Sequence, residues 1–122
     1  MKPNWKGIYP ALTTKFSDDD KIDIDAYLKN IDFQIKSGIH GCVIGGSLGE
    51  ASTLTQDEKV ELLSGTVDHI NGEIPVIMNI AEQSTNEALI SAQNAEDNGA
   101  DAVSAINTLV GMSINPMTWK SN

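Results

Sequence analysis

The chain is poor in cysteine, in aromatic residues and in positive charge. Of its 122 residues one is cysteine, 5% are aromatic and eight are Lys or Arg, against seventeen Asp or Glu. A single Cys42 cannot close an internal disulfide, so nothing in the sequence calls for an oxidising compartment. The net charge of −9 repels phosphate backbones and anionic lipid surfaces, which excludes nucleic acid and membrane as expected partners. No apolar run approaches the roughly 20 residues of a membrane span, and the opening MKPNWKG lacks the apolar core of a signal peptide. These absences predict a cytoplasmic protein. Neither a GKS or GKT phosphate loop nor a GxGxxG fingerprint occurs, and His40 and His69 stand apart from any cluster with metal-ligand spacing. No cofactor and no metal are expected.

What is present is a regular alternation of apolar runs and amphipathic segments, in a length that fills one domain. GIYPALT (residues 7–13), GCVIGG from Gly41, IPVIMNI from Ile74 and DAVSAINT from Asp101 are short apolar runs bounded by turn formers, and each reads as a strand. Between them, Ile24, Tyr27, Leu28, Ile31 and Ile35 recur at helical spacing behind Asp23 and ahead of Gly38. Thr55 with Glu58 forms a capping-box pattern that opens a helix through Val60, Leu63, Val67 and Ile70 to Asn71-Gly72. Ser84 with Glu87 repeats it before Leu89, Ala92 and Ala95. Strand starts at Gly7, Gly41, Pro75 and Asp101 lie 34, 34 and 26 residues apart, room for a crossover helix each time, so the strands should run parallel. The expectation is an α/β fold of about four parallel strands and three helices, a closed barrel and an open sheet being equally compatible with the periodicity. At 122 residues the chain is about half of a roughly 250-residue (βα)8 barrel.

GGSLGEAST (residues 45–53) follows the second strand at its carboxyl end, where parallel α/β folds place their ligands. Gly45, Gly46 and Gly49 permit positive φ and close approach of backbone N–H groups to an oxyanion, and Ser47 adds a hydroxyl. A carboxylate or phosphate suits such a loop. The alternative is a tight strand-to-helix connection that uses glycine for geometry alone.

GIYPALTTKF, GSLGEASTLT (residues 46–55), EIPVIMNI and STNEAL together resemble, in order and spacing, the amino-terminal half of the dihydrodipicolinate synthase/N-acetylneuraminate lyase family, over residues 4 to about 100. The resemblance implies a partial (βα)8 TIM barrel from a lineage that joins a lysine to pyruvate or another 2-keto acid as a Schiff base. It also implies that Gly46, Ser47, Leu48 and Gly49 hold the keto-acid carboxylate, with Glu50 supporting the loop. Leu48 stands where many members have Thr, so one hydroxyl donor is missing. The family's Schiff-base lysine lies on the sixth strand and its tyrosine on the fifth, and no residue here matches either. Such a chain, alone, is expected to be inactive.

Residues 101–115 instead resemble the strand and loop of flavin-dependent dihydroorotate dehydrogenases, in which the Asn of an INT motif faces the substrate. Asn107 would be that residue. A junction near residues 99–101 joining pieces of two barrels and simple divergence of one strand both fit. A lone INT supplies no flavin site, because the phosphate loops of such barrels follow strands seven and eight.

Lys15, Lys21, Lys29, Lys36, Lys59 and Lys120 fall outside the apolar strands, and all are expected to be solvated. Cys42 reads as a small packed residue, Tyr27 as part of a helix core stripe and the Asp18-Asp19-Asp20 run as a solvated loop. Two functions follow: a keto-acid-binding portion of a Schiff-base lyase, with a 2-keto acid such as pyruvate as partner, or a βα structural module that self-associates to complete a barrel or sheet.

Overall fold

The computed structural model describes residues 3–105; Asn107, Lys120 and most of the 101–115 stretch lie outside them. Three helices, α1 (Ile24–Lys36), α2 (Gln56–Ile70) and α3 (Thr85–Asp97), alternate with three strands, β1 (Cys42–Ile44), β2 (Val76–Asn79) and β3 (Ala102–Ser104). The strands are parallel and ordered β1-β2-β3, with Val43 opposite Ile77 and Ile77 opposite Ala102. Each crossover runs to the next strand in line. Right-handed crossovers of that kind put every helix on one face of the sheet, as in a barrel wall.

The helix ends follow the capping chemistry. Asp23 accepts the Ala26 N–H at 2.9 Å, and Gly38, with φ +93°, follows the Ser37 cap of α1. At α2 both halves of the Thr55/Glu58 box form. At α3 Ser84 accepts the Glu87 N–H, while the Glu87 carboxylate meets the Ser84 hydroxyl.

The helix-side core joins Tyr27 and Ile31 of α1, Leu62, Leu63 and Ile70 of α2, and Ala95 of α3 to Cys42, Ile44, Val76 and Met78 of the sheet. Leu89, expected on the inner stripe of α3, is 65% exposed. The buried positions of that helix are Ser91 and Ala95. An inward serine, which is bonded to neighbouring side chains, breaks the apolar pattern from which the stripe was read.

Among the described residues three strands stand where about four were expected. Residues 7–13 meet β1 at one parallel bridge, Ala11 to Val43, with the Val43 N–H donating to Pro10 O and the Leu12 N–H to Val43 O. The next rung needs a donor at position 10, and proline has none. On the other side Gly45, at φ +66°, turns the chain out of the extended conformation. Pro10 and Gly45 thus confine the first segment to a single rung.

Candidate functional site

The register sorts the side chains. Cys42, Ile44, Val76 and Met78 face the helices, so Val43, Ile77, Asn79, Ala102 and Ser104 face the other way, joined by Ala11. That second face corresponds to the inside of a barrel. At its upper end, beyond the carboxyl ends of the strands, is a cleft of about 290 Å³ lined by Ala11, Val43, Gly46, Ser47, Leu48, Asn79 and Ser104.

Gly46, Ser47 and Leu48 of the glycine-rich loop open directly onto this cleft. Gly45 leaves β1 at φ +66°, where a Cβ would come within 2.8 Å of Met78 Cε. Ser47–Gly49 then forms one 3-10 turn and Ala51–Thr53 another, joined at Glu50 with φ 55°. The positive φ expected of three glycines therefore falls on Gly45 and on Glu50, while Gly46 has φ −85°. Gly49 is needed for space: a Cβ there would sit 3.0 Å from Leu12 O. The Thr14 hydroxyl donates to Gly49 O, fixing the loop to the first segment. Within the loop the Gly49 and Ala51 N–H groups bond to Gly46 O and the Glu50 N–H to Ser47 O. Among the described residues the N–H groups of Ser47 and Leu48 have no partner. They are the free donors that open any helical turn, and here they border the cleft.

Among the described residues no lysine lines the cleft. Lys21 pairs with Asp19 in solvent. Lys59 departs from expectation. Its side chain is only 12% exposed, and its ammonium lies 2.7 Å from Glu82 Oε1. Gln56 and Ser91 complete the cluster, the Ser91 hydroxyl donating to Glu82 at 2.7 Å. Burial pushes the Glu82 carboxyl up, but hydrogen bonds from Lys59 and Ser91 outweigh it and hold the group below the usual glutamate range. The cluster pins the start of α2 to the loop between β2 and α3. A charge pattern along α2 alone does not reveal it, because the partner is 23 residues away.

Cys42 is wholly buried, and burial followed by the nearby Asp101 charge pushes its thiol up to about 12. His40 Nδ1 accepts the Ile8 N–H, and His69 Nε2 lies 2.7 Å from Asp32, joining α2 to α1 at the surface. Among the described residues no three His, Cys, Asp or Glu side chains converge, and no helix is long and apolar enough to cross a membrane.

The model of the dihydrodipicolinate synthetase family matches residues 4–110. The chain belongs to that family. The match takes in every element described above and runs past residues 99–101. The 4-hydroxy-tetrahydrodipicolinate synthase of Methanococcus vannielii is 44% identical over 98 residues, 80% of this chain and 34% of that protein. The N-acetylneuraminate lyase of Rhizobium meliloti is 40% identical over 101 residues, 83% of this chain and 34% of that protein. Among solved structures, YagE, a prophage protein of the dihydrodipicolinic acid synthase family from E. coli K12 in complex with pyruvate, superposes with a TM-score of 0.78 at 30% identity, over 82% of this chain and 34% of its own. A chloride-inhibited dihydrodipicolinate synthase from Acinetobacter baumannii, also complexed with pyruvate, gives 0.78 at 32% identity, over 80% and 34%. The match spans about a third of the length of these family members, less than the half expected from barrel size. Its partial-barrel architecture is theirs.

Proposed function

We propose that the chain supplies the carboxylate-holding part of a Schiff-base-forming 2-keto-acid lyase or synthase barrel, with pyruvate or a related keto acid as the guest of residues 46–49. The observation that carries this reading is the pair of N–H groups at Ser47 and Leu48, unpartnered among the described residues and bordering, with the Ser47 side chain, a cleft at the carboxyl ends of parallel strands. Two fixed N–H donors suit a carboxylate, whose charge strengthens each bond. Among the described residues no lysine lines the cleft, which accords with binding without turnover by this chain alone, since a Schiff base needs an amine at the keto carbon. The free, buried Cys42 accords with a reducing, cytoplasmic setting.

Titration with pyruvate, followed by ¹H–¹⁵N spectra, should shift the Ser47 and Leu48 signals selectively. Borohydride added with pyruvate should leave the intact mass unchanged. Silent amides at these positions overturn the carboxylate loop, and a reduced adduct on any lysine overturns the lack of turnover.

A second reading, a βα module that self-associates, draws on β3, the last strand among the described residues, where Val103 is 46% exposed, and on α3, where Leu89 is 65% and Ile90 46% exposed. An unpaired strand edge next to apolar surface favours association. Light scattering after size exclusion should then give a dimer or larger species; a monomer at high concentration removes this reading. The Asn107 resemblance supports a junction near residues 99–101, while the family match through residue 110 favours divergence of one strand.

A further inference from the structure

We infer that Asn79 is a second, side-chain contact for the bound keto acid, on the wall of the cleft that faces the glycine-rich loop; the inference rests on the carboxylate reading of that loop. Asn79 closes β2 and, by register, points to the same face as Ile77 and Ser104. It is buried, 8% exposed, yet it lines the cleft together with Ser47 and Leu48. A carboxamide carries two N–H donors and an oxygen acceptor. Of these, one N–H reaches Gly45 O, at a long 3.4 Å, and the rest of the group has no partner among the described residues.

The residue is buried, but its carboxamide keeps hydrogen-bonding capacity that a guest in the cleft can use. Its position selects the ligand class. Asn79 holds the carbonyl of Gly45, and its side chain lines the same cleft as Ser47 and Leu48. An oxygen-rich anion seated on the amides of those two residues would meet a third donor there, from a different strand. Three donors from two directions fix the orientation of a planar keto acid, which two donors on one loop do not. Asn79 is thus assigned to substrate orientation. The apolar residues below it, Val43 and Ile77, offer no competing polar contact.

The test uses pyruvate and the whole chain, with binding read by ¹H–¹⁵N titration. Asn79→Asp replaces the donor by a carboxylate facing the anion and should weaken pyruvate binding at neutral pH by at least about tenfold. Below the carboxyl pKa the protonated aspartic acid regains a donor, so affinity should climb back towards wild type while pyruvate remains an anion. A merely structural asparagine gives no such recovery. Asn79→Ala should weaken binding at every pH, with the spectrum otherwise folded. If both variants keep wild-type affinity while Ser47→Ala reduces it, the role of Asn79 is overturned and the carboxylate loop stands. If wild type binds no pyruvate, the loop reading and this inference fall together.

Discussion

On the helix side of the sheet Cys42, Ile44, Val76 and Met78 are at most 4% exposed, while on the other side Val43 and Ile77 are half-buried and Ala11 is exposed. The residue types barely differ. Near-continuous apolar strands are what a sheet covered on both faces requires, and here only one face has its cover within the described residues. The bare face is also the one that carries Asn79, Ser104 and the glycine-rich loop. The core residues and those of the proposed site therefore stand on opposite sides of the same strands, one residue apart.

That division can be tested. Thiol labelling offers the largest contrast: with its thiol raised from the ordinary 9.0 to about 12, native Cys42 should react at least about a thousandfold more slowly than in denaturant. A cysteine at position 43, in a Cys42→Ser background, should label readily in the native state; equal rates would erase the distinction between faces. Next, Ile44→Ala should lower stability by about 2–5 kcal/mol in urea unfolding, and Ile77→Ala by less than about 1.5 kcal/mol, because only the first opens a closed cavity. Similar losses would mean that the second face is packed too.

Glu82→Gln should cost about 1–3 kcal/mol by leaving the Lys59 ammonium largely buried without its counter-charge. The pH dependence has a definite sign. A carboxyl whose folded pKa is lowered contributes stability above its ordinary value of 4.5, and that contribution is lost as pH falls through the lowered value. Stability of the variant, measured from pH 7 to 3, should therefore fall less on the acid side than that of wild type. The smallest effect is expected at Tyr27, whose hydroxyl is enclosed without a hydrogen-bond partner among the described residues. Tyr27→Phe should be neutral or stabilising, within about 1 kcal/mol, since it removes an unmet donor and little volume. A larger loss would reveal a buried water bonded to that hydroxyl.

Local chemistry made much of this legible from sequence. Asp23, the Thr55/Glu58 box and Ser84 are caps whose partners lie three residues away, so helix starts could be read without knowing the fold. The glycine-rich loop was also legible, because Gly45 and Gly49 have no alternatives in a strained turn and a close backbone contact. What failed was non-local. Lys59 looked like a surface residue because Glu82 and Ser91 are brought to it only by the packing of α3 on α2. Asn79 sits inside an apolar run and attracts no notice until the register places it on the face that carries the cleft. The first strand was overcounted for a subtler reason: its residues suit a strand, but Pro10 and Gly45 interrupt the ladder from opposite sides.

That single rung has a consequence for motion. Strand β1 is held to β2 by a continuous ladder, whereas residues 7–13 meet it through the two bonds that flank Ala11 and are tied besides from Ile8 to His40, just before the strand. Local opening follows the weakest backbone connections, so the amides of Leu12 and Val43 should exchange with solvent together, and sooner than those within β2. Thr14, just past that segment, grips Gly49. Each time the first segment lifts, the loop of Ser47 and Leu48 should lose that anchor, so the proposed site should open at the rate of this singly bridged segment.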